Sequence, residues 1–352
     1  MAERELNILS LDGGGVRGMS TLLILKSLME AIDREHPPKP CDFFDMIGGT
    51  GSGGLLAIML GRLKMDIDQC LVAYPRLCRH IFARRKRLSL TEMSQISIKR
   101  RRAKHDGKKL ATALKGILRE LGHEDRDMLL QDVDLSCRVF VCVSEATTGK
   151  IIPLSSYPSK YCPNELYKST KIWEAGLATF SSTALFEPVI LGPSLQRRFT
   201  DASAQANNPV REVWIESKNV WRLTTLESQL RCLVSIGTGL PTIKRPAARK
   251  TSGVSAVLGF GKTADAGIAD PEVETNKFIQ EHSELDDDGR MFRFDVPNGL
   301  AEIELDAIEE IDTVADATYE YLSKELVYKQ VRRCGKALAR PESSEVSFPN
   351  RR

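Results

Sequence analysis

No run in this chain approaches the roughly 20 consecutive apolar residues that a membrane-spanning helix requires, so a bilayer-embedded fold is not expected. The eight cysteines form no close C-x-x-C pair, and Cys137 and Cys142 sit inside the apolar run CRVFVCV. A disulfide or zinc framework is therefore not expected; reduced, mostly buried thiols in a cytosolic protein are. Histidine is scarce, the full set being His36, His80, His105, His123 and His282. In a Ser, acid, His order only His282 follows late enough, and it lies in the charged stretch EHSELDDDG, which reads as a solvated helix end. No tight cluster of oxygen ligands appears either. Asp286-Asp287-Asp288-Gly289 reads as a solvated turn, so neither a metal nor a cofactor is expected. The start, MAERELNILSL, carries acids where a secretory leader would be apolar, and a cytoplasmic location is expected.

What is present is glycine in two clusters, each at the mouth of a strand. LNILSL (6–11) runs straight into Asp12-Gly13-Gly14-Gly15-Val16-Arg17-Gly18, followed by a helical stretch with Leu22, Leu25, Leu28, Met29 and Ile32 on one face. The run Phe43, Phe44, Met46, Ile47 reads as a short buried strand. Gly48 to Gly53 then holds four glycines and gives way to the helical pattern of Leu55, Leu56, Ile58, Met59 and Leu60. Further along, 136–145 and 232–237 read as strands, 172–179 as a helix, 186–191 as a strand, and about 305–338 as one long helix. Pro209 suits a helix first turn with Asn208 as N-cap. Strands alternating with helices argue for an α/β fold, a mostly parallel sheet covered on both faces. The strand-to-helix turns would share one edge, where ligands bind in such sheets. A single domain over 1–340 with a tail at 341–352 is expected, and 243–270, rich in Gly, Ala, Ser and Lys, reads as a flexible loop.

Strand, glycine turn and buried helix form the context of a nucleophile elbow, in which a serine sits on a strained turn among small neighbours. Ser52 is the candidate hydroxyl, although the G-x-S-x-G frame is only half met around it. Around Gly49 and Gly53 the frame is complete, but Gly51 stands where the serine belongs. The same letters fit G-x-G-x-x-G through Gly49, Gly51 and Gly54, as do Gly13, Gly15 and Gly18, so a dinucleotide site stays open at this level. Neither cluster carries a P-loop lysine. Exposed N–H groups at the first cluster could hold a phosphate or the oxyanion of an attacked acyl carbonyl. Asp201, closing the short strand FTD ahead of Ala202 and Ser203, could accept a proton from a hydroxyl directly.

The residues DGGGVRG at 12–18 and FFDMIGGTGSGGLLAIMLGRL at 43–63 open a longer series. WEAGLATFSSTALFEPV at 173–189, FTDASAQANNPVREVW at 199–214 and LVSIGTGLP at 233–241 complete it. In this order and spacing the chain resembles the patatin-like phospholipases, in particular the patatin domains of filamentous-fungal proteins. The resemblance implies a three-layer α/β/α fold, no cofactor, and hydrolysis of acyl-lipid esters by a Ser–Asp dyad without histidine. It implies Gly13, Gly14 and Gly15 as an oxyanion loop, with Arg17 as its fixed basic residue, and Asp201 as the dyad aspartate. Its nucleophile position falls on Gly51, so Ser52, one step along the same turn, is taken as nucleophile with Gly53 contributing to the oxyanion hole. The alternative it leaves is an inactive lipid-sensing scaffold. Ala202 stands where the family has glycine, and Phe180 is expected to press on the elbow.

Charge is uneven. Residues 79–109 hold twelve Lys/Arg against two acids, about +10 in a chain of net charge +3. This insert reads as a solvated loop, as a peripheral dock on anionic lipid, or as a nuclear-import or nucleic-acid contact. No aromatic residue lies between the clusters 84–87 and 99–102, which counts against a nucleic-acid platform. A phospholipid or other acyl lipid is the expected partner.

Overall fold

The alternation LNILSL forms β1 (Leu6–Leu11), every residue of it buried, with parallel neighbours on both sides. In this computed structural model the described residues are 5–82, 105–183, 185–194, 196–240 and 268–339. Most of the basic insert 79–109 and of the loop 243–270, and all of the tail 341–352, lie outside them.

From β1 the chain enters α1 (Gly18–Ile32), returns as β2 (Met46–Thr50), and turns directly into α2 (Ser52–Ala57). Then come α3 (Ile67–Phe82), α4 (Gly107–Glu120), β3 (Arg138–Glu145), β4 (Ile151–Ser155) and α5 (Ile172–Phe180). Strands β5 (Val189–Leu191) and β6 (Arg197–Asp201) precede the single turn α6 (Ser203–Ala206) and α7 (Val210–Val220). The rest is β7 (Leu230–Ile236), α8 (Pro271–Glu281), β8 (Met291–Phe294), α9 (Ile311–Ser323) and α10 (Glu325–Leu338).

The strands form one sheet in the order β5-β6-β3-β2-β1-β7-β8, with β4 paired to β3. From β3 to β8 the pairs are parallel; β3–β4, β3–β6 and β5–β6 are antiparallel. Alternate residues of β1 feed two cores, as a sheet buried on both faces requires. Leu9 and Leu11 pack with α1, α2 and α3, while Leu6 and Ile8 pack with Val213 and Trp214 of α7 and Phe278 of α8. The result is three layers. Among the described residues no helix is long and apolar enough to cross a membrane. All eight cysteines are unpaired and buried, and burial pushes the thiols of Cys70, Cys78, Cys137 and Cys142 up.

Three expectations need correcting. Phe43 ends a short helix (Pro40–Phe43), and the strand starts later, at Met46, running through Gly48 and Gly49. Those glycines belong in the strand because its neighbours leave no room: a Cβ on Gly48 would lie 2.5 Å from the Phe140 ring. The long C-terminal helix is two, broken at the extended Lys324 (φ −69, ψ 131), and both halves pack on α1. Pro209, not Asn208, holds the N-cap position of a helix that starts at Val210, although Asn208 Oδ1 does accept from Val210 N at 3.0 Å.

One buried charge cluster ties the strand ends together. Arg293 of β8 donates to both oxygens of Asp12, at 3.0 and 2.7 Å, to Asp295 Oδ2 at 2.6 Å and to Ser235 Oγ at 2.8 Å. Burial works against the guanidinium charge, but the two carboxylates outweigh it and push the Arg293 pKa up. Removing one member of such a set leaves buried charge uncompensated, at a cost of about 3–5 kcal/mol. Arg293→Met is therefore expected to lower the unfolding free energy by that amount, read from urea denaturation of the purified protein.

Candidate active site

The parallel register places Leu11 of β1 opposite Gly49 of β2, so the two glycine corners leave the sheet at one level. At the second corner Gly51 has φ 57 and ψ −121, a backbone state that side-chain-bearing residues adopt only under strain. This is the sharp turn of a nucleophile elbow, with Gly51 itself at its apex. A threonine holds it there. Thr179 Oγ1, in the last turn of α5, accepts from Gly51 N at 3.0 Å and donates to Cys142 O at 2.9 Å. A Cβ at Gly51 would be unobstructed, its nearest neighbour being Gly13 Cα at 3.5 Å. Gly53 is the opposite case, because a Cβ there would fall 2.2 Å from Leu11 O.

At the first corner each carbonyl is engaged. Thr238 Oγ1 donates to Gly13 O at 2.8 Å, Arg17 Nε to Gly14 O at 3.2 Å, and the Tyr74 phenol to Gly15 O at 2.5 Å. Gly13 N is also used, donating to Asn207 O at 3.0 Å. That bond and the one from Thr50 Oγ1 to Ala206 O, at 2.7 Å, dock the segment after β6 across both corners.

Asp201 reaches the same place at the end of β6, paired with Val143 of β3 and donating its N–H to Ser181 O at 3.0 Å. Its Oδ2 accepts from Ser203 Oγ at 2.8 Å. Burial raises the carboxyl to about 6, against the pull of the side-chain and backbone hydrogen bonds from Ser203. The cleft between these parts is lined by Gly13, Gly14, Gly15, Gly51, Asp201 and Ser203, with an apolar wall that includes Phe82, Phe180 and Leu185. The cleft is narrow, with about 20 Å³ of free space. Phe180 lines the same cleft as Gly51, its ring tilted against Phe82 with centroids 5.8 Å apart.

The expected residues divide accordingly. Gly13, Gly14, Gly15, Gly51, Arg17 and Asp201 converge on the cleft. Ser52 borders it, but opens α2 with its Oγ buried and without a hydrogen-bond partner of ordinary geometry. It lies beside the Tyr74 phenol, and the hydroxyl that meets Asp201 is that of Ser203. Gly53 packs against β1 behind the cleft and is not among its lining residues. His282 stacks on Trp214 at 4.3 Å and faces Glu227 Oε1 at 3.2 Å, away from the cleft. Thr179, Thr238, Tyr74 and Asn207 were not foreseen; each acts through a contact between distant segments that no local pattern marks. Among the described residues no three or more His, Cys, Asp or Glu gather as a metal cage.

Comparison with known proteins gives this arrangement a lineage. The family model for patatin-like phospholipase matches residues 9–214, more than half of the chain. Calcium-independent phospholipase A2-gamma from Rattus norvegicus is 30% identical over 242 residues, 67% of this chain and 29% of that protein. Patatin-like phospholipase 1 from Plasmodium falciparum is 26% identical over 369 residues, 96% of this chain and 50% of that protein. The chain thus spans half or less of these two relatives' own lengths. Among solved structures, VipD from Legionella pneumophila aligns with 90% of this chain and 67% of its own at a TM-score of 0.39 and 9% identity, too remote to bear on the site. With both glycine corners and the aspartate segment inside the matched residues, the chain belongs to the patatin-like phospholipase family.

Proposed function

We propose that the chain hydrolyses carboxylic-ester bonds of phospholipids or related acyl lipids in this cleft. The observation that carries the reading is Asp201, a carboxyl raised to about 6 and hydrogen-bonded to a serine hydroxyl beside two glycine corners. A base with a pKa just below neutral is ionised at physiological pH yet still basic enough to take a proton from an attacking hydroxyl. The oxyanion then forms against the first corner. Because Gly13 N is already committed to Asn207 O, the N–H groups of Gly14 and Gly15 are the ones left to receive it. Water then releases the fatty acid, and no histidine takes part. Attack by Ser52 would require a rotamer other than the one the structure holds, since its Oγ is turned inward. The charge of 79–109, about +10, supports a peripheral dock on an anionic lipid surface.

A second reading, a lipid-binding scaffold without turnover, is favoured by one feature: the apex of the elbow carries no side chain.

Three measurements test the proposal. Fatty-acid release from phosphatidylcholine vesicles should be detectable with the purified protein. If it is absent there and present in Gly51→Ser, the scaffold reading holds. That variant is expected to fold, since a Cβ meets nothing closer than 3.5 Å, with about 1–3 kcal/mol lost to backbone strain. Next, kcat/KM on a soluble ester should fall as pH drops through about 6, because the protonated Asp201 carboxyl cannot accept a proton. Finally, a Cβ at Gly14 would lie 2.2 Å from Thr238 Oγ1, so Gly14→Val must displace the loop. It should cut turnover about a hundredfold or more while leaving the thermal melting transition cooperative.

A further inference from the structure

The elbow offers a turn without a nucleophile, and a neighbouring segment offers a hydroxyl without a turn. We propose that Ser203 is the residue that attacks the acyl carbonyl. The inference rests on the hydrolase reading above and names the group which that reading leaves open.

Four observations converge. Gly51 holds the apex geometry of an elbow, yet the space in front of its Cα is empty of any side chain of its own. Into that space reaches Ser203 Oγ, 3.9 Å from where a Gly51 Cβ would stand and 3.5 Å from where a Gly13 Cβ would stand. The hydroxyl thus lies between elbow and oxyanion loop, where an acyl carbonyl must enter. Its proton already points at Asp201 Oδ2 over 2.8 Å, the contact a nucleophile and its base need. Ser203 is also held in place: its carbonyl accepts from Ala269 N at 2.8 Å, and its segment is clamped through Asn207 and Ala206.

A plain turn accounts for part of this. Asp201 and Ser203 are two residues apart at the start of α6, and such pairs often close a strand-to-helix turn. A turn explains the hydrogen bond. It does not explain why the hydroxyl faces the vacant apex of a strained elbow, nor why its carboxylate partner is raised to about 6. Ser52, the residue next to the apex, has the reverse geometry, its oxygen buried and not bonded to Asp201.

The chemistry balances without a cofactor. As Ser203 Oγ bonds to the ester carbon, its proton passes to Asp201 and the carbonyl electron pair moves onto the oxygen facing Gly14 and Gly15. Collapse of that intermediate breaks the ester C–O bond. The departing lysolipid oxygen takes the proton from Asp201, leaving an acyl ester on Ser203. Water then attacks this ester while giving a proton to Asp201, and Ser203 Oγ recovers that proton as the fatty acid leaves.

The test treats the wild-type chain with a fluorophosphonate, maps the adduct by peptide mass spectrometry, and measures fatty-acid release from phosphatidylcholine–phosphatidylserine vesicles. The adduct is expected on Ser203, absent in Ser203→Ala and strongly reduced in Asp201→Asn. Release should fall about a thousandfold or more in Ser203→Ala and be partly retained in Ser203→Thr, which keeps the hydroxyl. An adduct on Ser52 overturns the assignment. So does release by folded Ser203→Ala at a tenth or more of the wild-type rate, which would point to Ser52 or to water activated by Asp201. In both cases the hydrolase reading stands. Wild-type protein that neither labels nor releases fatty acid removes the hydrolase reading itself, and this inference with it. Because the mapping is done on wild type, a variant that fails to fold leaves the question answerable.

Discussion

The parallel pairing of β1 with β2 is the constraint from which the cleft follows. With Leu11 level with Gly49, two tight turns must leave the sheet side by side in less space than two ordinary turns occupy. Backbone then packs on backbone. Gly53 lies where a Cβ would strike the Leu11 carbonyl, and Gly49 lies where one would strike Gly53. Glycine here is chiefly a matter of volume, and only at Gly15 and Gly51 also of positive φ. The close approach lets a third segment, 201–208, bond to both corners at once.

Polar groups around this crowded centre are arranged by depth. The deepest set, Arg293 with Asp12, Asp295 and Ser235, joins the ends of β1, β7 and β8 and is largely buried. Arg17, Thr238 and Tyr74 form the next set, and they occupy the carbonyls of the first glycine corner so that its peptide planes cannot rotate freely. Asp201 lines the cleft, its carboxyl raised by burial to about 6, while burial raises Asp12 in the deepest set further, to about 7.

Much of this was legible in the sequence. The strands at 6–11, 136–145 and 232–237 and both glycine corners could be read from local letters, because each is a short-range pattern of apolar alternation or punctuation, whereas Asp201 stands out only through the family resemblance. What failed did so for long-range reasons. The start of β2 was misplaced because Gly48 is a strand residue only by virtue of Phe140 across the sheet. The break at Lys324 interrupts a continuous helical pattern so that both halves can meet α1. Ser52 does border the cleft, but successive side chains at a helix start point about 100° apart, and no local pattern shows that its Oγ is buried. Ser203 carries no local signal beyond being one of two small residues after Asp201, and only the docking of its segment sets its hydroxyl beside the glycine corners.

The enclosed thiols give the fold a chemical silence of their own. A folded chain with eight buried sulfhydryls, several held far from ionisation, shows electrophiles and oxidants almost no thiolate. Alkylation must then wait for the structure to breathe. Cys142 lies across the sheet from Thr50, one residue before the apex of the elbow, and Cys334 lies on α10, which packs on α1 and β7. The relative speed at which these two sulfurs react would time the loosening of the cleft separately from that of the periphery, using reporters the chain already carries.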